Sequence, residues 1–435
     1  DPEMLYIIEA KKKAFGALYV SSNSGHSFIK RKHDDKNFLG YSLDAELSDY
    51  GMAPRTMDIS VSTSNANEIH IGGIISFMSL DGGKSFKATS SEEGTEPSVG
   101  YCHPDIEFME FVDDTLYLGT DGGVFYVGNT KNIQENYFTD LSKGLGIRQL
   151  YRIGVSQTDP VVINIGTQDN GASVRNENGE WSDWLGADAM EAFVEKSNTD
   201  ILYGSIQSGR IYRSLDQGLT LDKNITTPEN LGGKGSRKTP FLPDPIEDNT
   251  IYIGFKKVYK SSDRGDTWEA ISQDFGANLN YIKVSASANN IMYASIEDQL
   301  YKTEGSKDWI PLSGFSGKIY SIAIHPKNPD IVAIATDSTG KVYTSFDGGN
   351  SWTSYLKNLP DFPALSLVWQ NSDSNRLYLG MDYGIYYIDN TFSEWQKFSG
   401  NLPNVKVYDM EINEADNRIY IATYGRGCWS TALIK

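Results

Sequence analysis

One octapeptide constrains this chain more than any other feature. It reads Ser-x-Asp-x-Gly-x-Ser/Thr-aromatic, with clear copies at 79–86, 261–268 and 345–352. Weaker copies begin at Ser21, where Asn23 replaces the aspartate, and at Ser214, where Leu221 replaces the aromatic. Most separations between copies are near multiples of roughly 45 residues, which marks a tandem array. The octapeptide fits a hairpin turn. The Asp oxygens accept turn amides, the Gly supplies a positive φ, and the aromatic packs beneath the turn. Despite its acid, it is a poor catalytic candidate.

Between the copies lie segments of alternating apolar residues that end in small ones. Examples are Ile201-Leu202-Tyr203-Gly204-Ser205, Ile251-Tyr252-Ile253-Gly254, Leu377-Tyr378-Leu379-Gly380 and Ile419-Tyr420-Ile421-Ala422. This period of two, rich in β-branched and aromatic residues, predicts strands, and the dense Gly, Asn and Asp between them predict turns. About ten such units of ~43 residues, four short strands each, predict an all-β β-propeller. The first unit begins at its second strand and the last supplies only its first three. Two arrangements follow: part of two seven-bladed rings, or one ten-bladed ring. On the first, residues 1–147 are the last blades of an N-terminally incomplete propeller and residues 148–435 form a seven-bladed one.

Composition removes several function classes. The formal charge of −18 argues against nucleic acid, which needs clustered Lys and Arg. Hydrophobic content of 39 % supports packed cores. The absence of a long apolar run argues against a membrane-spanning helix. Two cysteines, Cys102 and Cys428, exclude a disulfide framework; one bridge or two buried thiols both remain open. The five histidines include no His-x₃-His pair, so no metal site is expected. No Walker, dinucleotide or Gly-x-Ser-x-Gly motif appears, so no cofactor is expected either.

The octapeptides resemble the Asp-box (BNR) repeats of sialidases, sortilin-type receptors and two-propeller xyloglucan hydrolases. A further series narrows the likeness: Asn65-Ala66-Asn67-Glu68-Ile69-His70-Ile71-Gly72-Gly73, His103-Pro104-Asp105, Leu116-Tyr117-Leu118-Gly119-Thr120-Asp121-Gly122-Gly123, Gly166-Thr167-Gln168-Asp169-Asn170-Gly171 and Gly186-Ala187-Asp188-Ala189-Met190-Glu191. It looks like large secreted proteins of Bacteroidetes that carry a signal for type IX secretion. That resemblance implies a secreted or cell-surface location and possible partners in the outer-membrane secretion or gliding machinery. Two departures are visible. Such proteins commonly show His-x-Asp-x-His where this chain has His103-Pro104-Asp105-Ile106-Glu107, and Gly-Asp-Gly where it has Ala187-Asp188-Ala189.

Glycoside hydrolysis needs two carboxyl groups facing each other across a cleft. The candidates are Asp121, Asp169, Asp188 and Glu191, all in motif-like segments; turn formation explains Asp121 and Asp169 equally well. Candidate ligand-binding residues are Gln168, Asn170, Trp181, Trp184, His103 and Asp105. The two tryptophans would offer a stacking platform beside Asp188. The arginine-bearing signature of sialidases is missing. The favoured expectation is a surface module that binds glycan or protein, with a role in adhesion and no catalysis. The alternative is a xyloglucanase-like glycoside hydrolase acting on plant or algal polysaccharide.

Overall fold

The structure is a computed structural model that describes residues 2–226 and 231–435. Its described residues contain no α-helix and a single 3₁₀ turn, Gln207–Gly209. They form ten antiparallel sheets, eight of four strands and two of three. Every sheet pairs strands in chain order, so each is a local meander and a propeller blade. The second strands are the apolar segments of the sequence. Val332–Thr336 and Leu377–Met381 are buried at every position, because each is covered on both faces. Most outermost strands, such as Thr353–Ser354, are only two residues long, which leaves little free edge; Trp181–Leu185 is longer.

The octapeptides join third strands to outermost strands, and their geometry accounts for the residue pattern. In the copy at 79–86, Asp81 Oδ1 accepts the Lys84 and Ser85 amides at 2.9 and 3.0 Å, and Oδ2 accepts the Ser85 hydroxyl at 2.6 Å. Ser79 Oγ donates to Asp81 at 2.8 Å and accepts the Gly83 amide at 2.9 Å. The fifth position has φ of +76° at Gly83, and a Cβ there would lie 2.5 Å from Leu18 Cδ2, so only glycine fits. Asn23 makes the equivalent bonds in the first copy.

The chain divides into two compact units, Asp1–Ile147 and Arg148–Lys435. The first holds three sheets. Its opening sheet is Leu5–Lys11, Ala14–Ser21 and Ile29–Lys30. The octapeptide after Ser21 marks Ala14–Ser21 as a third strand, so this sheet has no innermost strand. The second unit holds seven sheets, with innermost strands Leu150–Val155, Ala189–Val194, Phe241–Pro243, Tyr281–Val284, Ile319–Ile324, Ala364–Trp369 and Val407–Asn413. Its first and last sheets meet. Asp409 and Glu411 accept the Ile153 and Val155 amides at 3.2 and 3.1 Å. Asn413 Nδ2 donates to the Thr158 carbonyl at 2.8 Å, and Gln157 Nε2 to that of Ile412 at 3.0 Å. These bonds join the seventh sheet of this unit to its first, so the seven sheets run round a common axis.

Both cysteines are free thiols. Burial raises each to about 12, so neither is a ready nucleophile.

Candidate functional site

Antiparallel order puts two kinds of loop at one end of each sheet: the loop entering the innermost strand and the turn between second and third strands. The octapeptides lie at the other end. Of the candidates, all except Glu191, Trp181 and Trp184 lie in these shared-end loops. They fall into two clusters, one per unit.

In the first unit Arg55 organises the cluster. Its Nε donates to Glu107 at 2.7 Å and its Nη2 to the Asp121 carboxylate. The Asp121 amide donates to the Asp105 carbonyl at 3.3 Å. Asp105 sits at φ +62°, and its carboxyl is held above the usual range by burial and then by Asp121. His103 Nδ1 lies 3.0 Å from the Pro104 carbonyl. Its ring fills the space over Gly122, where a Cβ would fall 2.0 Å from His103 Cγ. Asp121 is thus an arginine partner, and Gly122 is there for the histidine.

In the second unit the cluster lies at the mouth of the ring's axis. Asp188 is 8 % exposed and has both oxygens engaged. Oδ1 accepts the Asp169 amide at 2.8 Å, while Oδ2 accepts Gln207 Nε2 and Arg237 Nη2, each at 2.8 Å. It pins three loops together. Ala187 before it has φ of +64°, a left-handed conformation in which glycine is at ease. The Gly-Asp-Gly of the resembling proteins differs here at a backbone position that favours glycine. Tyr151 and Tyr424 both donate to Gln168 Oε1, the first at 2.7 Å. Asn170 Nδ2 donates to the Gln168 carbonyl at 3.3 Å. Tyr408 packs edge-on against Tyr424 at 4.9 Å between centroids.

Below the mouth an axial cavity of about 380 Å³ is lined by the innermost strands. Arg152, Tyr281, Ser321, Ser366 and Asp409 occupy equivalent register positions, each opposite the small residue near the end of its second strand. Glu191 joins them and binds Arg152 at 3.1 Å. Burial pushes Glu191 up, while Arg152 pulls it down. Two residues further along the last strand, burial and then the Asp409 charge raise Glu411 to about 7, against Lys283.

Two expectations need correction. Trp184 is 7 % exposed, packs between sheets and donates Nε1 to Asn164 at 3.0 Å, so it presents no face to a ligand. Trp181 is 47 % exposed, but it opens the strand Trp181–Leu185 at the octapeptide end. That strand's length, roughly 13 Å, separates it from the Asp188 loop. An exposed aromatic pair lies elsewhere. Phe362 and Tyr383, 38 % and 45 % exposed, form an edge-to-face pair at 4.8 Å on the mouth-end loops of the sixth sheet. Asp382 beside them bonds Lys406 at 3.5 Å, which ties this pair to the segment leading into Tyr408.

The sequence also conceals Tyr281, Asp409, Glu411 and the Phe362–Tyr383 pair as residues of the cavity and its mouth. Ring closure alone brings Asp409 to Arg152. The available signal was a charged residue within an otherwise apolar innermost strand, at the same position of several repeats.

No family model matches the chain, and no curated protein does. Solved structures do. The GH74 xyloglucanase from Xanthomonas campestris aligns with a TM-score of 0.63 at 13 % identity, over 99 % of this chain and 66 % of that one. The chain thus spans 66 % of that enzyme's length. YCF48 from Cyanidioschyzon merolae gives 0.51 at 13 % identity, over 66 % of this chain and 96 % of that one. A GH74 enzyme from Niastella koreensis gives 0.40 at 13 % identity, over 99 % of this chain and 82 % of that one. At such identities the first two likenesses are likenesses of fold, and the fold they share with this chain is the β-propeller.

Proposed function

We propose that the chain is a secreted or cell-surface propeller that binds glycan at the mouth of the seven-sheet ring and does not cleave it. The observation that carries this reading is the exposed Phe362–Tyr383 pair at that end, the same end as the Tyr151, Tyr424 and Gln168 hydroxyl and amide cluster. Aromatic faces with a few fixed polar groups suit sugar rings. Three of the four acids named as catalysts support binding over hydrolysis: Asp121 and Glu191 are arginine-paired, and Asp188 accepts three hydrogen bonds. A surface location, adhesion and export by a type IX route rest on the resemblance of the quoted motifs alone. On the same basis we assign the three sheets of Asp1–Ile147 to a ring of their own. No helix among the described residues is long and apolar enough to cross a membrane.

A second reading has its own observation. Glu411, raised to about 7, stands near Asp409 on one strand lining the cavity, and a carboxyl still protonated near neutral pH is what general-acid hydrolysis uses. Affinity electrophoresis through gels of plant and algal polysaccharides, with a reducing-sugar assay on the same panel, tests both. Retardation without sugar release is the expected result. Release abolished by Glu411→Gln would establish the hydrolase. Neither retardation nor release would reject both.

A further inference from the structure

At the mouth of the seven-sheet ring, Lys238 is a cation held by aromatic rings rather than by a carboxylate contact among the described residues. Lys238 Nζ lies 4.1 Å from the centroid of the Tyr151 ring and 5.0 Å from that of Tyr408. Its neighbours are paired: Arg237 with Asp188 at 2.8 Å and Arg152 with Glu191 at 3.1 Å. None of the described ion pairs includes Lys238. The ion pair of Arg237 fixes the backbone one residue away, so Asp188 is a positioning residue for Lys238.

One polar group of the Tyr151 cluster presents a donor. Gln168 receives both tyrosine hydroxyls on its Oε1, which leaves its Nε2 as the donor end of the amide. Cation–π contact holds an ammonium in place without neutralising it. A half-buried lysine so placed keeps a charge that is costly to desolvate. Burial, followed by the nearby Arg152, brings Lys238 down to about 8, against the more distant pull of Glu191, which is itself paired with Arg152. An anion at this point would form the missing pair, and charge-assisted hydrogen bonds to it exceed those to a neutral hydroxyl. The protein's overall −18 charge opposes an acidic ligand at long range, but salt screens that field beyond about 8 Å. The local cation then decides.

We infer that Lys238, boxed by Tyr151 and Tyr408, is the recognition cation of a subsite for an anionic sugar unit. The inference rests on the glycan-binding reading and names the class of glycan. The anion is a uronate carboxylate or a sulfate ester.

The test is calorimetric titration of the full chain with polygalacturonate oligosaccharides, with a sulfated galactan and with neutral xyloglucan oligosaccharides. At least one acidic glycan is expected to bind tenfold or more tightly than the neutral one, and which one binds identifies the anion. Lys238→Met is expected to remove that preference, and Lys238→Arg to keep it. Thermal unfolding of both variants checks that they are folded, and the arginine variant reports on charge if the methionine variant is not. Equal affinity for neutral and acidic glycans, unchanged by Lys238→Met, would overturn this inference and leave glycan binding intact. No binding of any glycan would overturn both.

Discussion

At the residue scale, the octapeptide turn is a built acceptor for backbone amides. Asp347 shows the electrostatic result: the Ser351 hydroxyl and amide, then the Ser345 hydroxyl, lower its carboxyl to about 2. A depressed carboxyl contributes stability above its unfolded value and loses it as pH falls through the folded one. These turns therefore weaken between about pH 4 and pH 2. Asn23 holds the same turn without titrating. Asp81→Asn should accordingly leave thermal stability at neutral pH nearly unchanged. Asp81→Ala should cost roughly 1 kcal/mol, because two amides and two hydroxyls lose an acceptor at a surface turn. Denaturant unfolding of the two variants decides this; equal losses would contradict the turn's account. Glu411 runs the other way. Its folded value of about 7 lies above the ordinary 4.5, so its contribution is full below 4.5 and lost as pH rises through 7. Glu411→Gln should be nearly neutral at about pH 5 and raise stability by on the order of 1 kcal/mol at about pH 8. Unfolding curves at the two pH values would show the difference.

At the element scale, sheets are joined by buried polar side chains as well as by apolar packing. Asn164 is the clearest case. Its Nδ2 donates to the Phe193 and Tyr203 carbonyls of the next sheet at 3.0 and 2.9 Å, and its Oδ1 accepts Trp184 Nε1. Asn164→Leu would strand three buried polar groups and should cost about 2–4 kcal/mol. Chemical denaturation measures it, and a loss below about 1 kcal/mol would show that the sheets are held by packing alone. The apolar strands, the turns and the blade repeat were legible in the sequence, because period-two alternation and turn glycines are local signals. Trp184 shows where local reading stops. A tryptophan after polar residues looks like a platform until the neighbouring sheet covers it and Asn164 of its own sheet takes its Nε1.

At the scale of the whole molecule, ring closure in Arg148–Lys435 creates both the cavity and the mouth. The seam uses side chains where strand pairing is absent. Gln157 donates to the Ile412 carbonyl at 3.0 Å and accepts the Glu414 amide at 3.1 Å, as a strand's backbone would. Gln157→Ala should lower stability by about 1–2 kcal/mol, with amide exchange quickening first in Val407–Asn413. Uniform quickening across all seven sheets would mean that the seam is not a separate weak point. The site was less legible than the fold for the same reason. Gln168, Asn170 and Asp188 were marked by their loops, but Arg152 meets Asp409 only across the closed ring, and Lys238 reaches Tyr408 from another sheet. One sequence without partners in space cannot rank such residues.

Titration calorimetry of the intact chain with glycan oligosaccharides, comparing the native protein with the Phe362→Ala, Tyr383→Ala double variant, tests the central claim most directly. The account predicts saturable binding to the native protein, at least tenfold weaker binding to the variant, and no reducing ends accumulating in the cell. Absence of heat with every glycan, or reducing ends that vanish with Glu411→Gln, would contradict it.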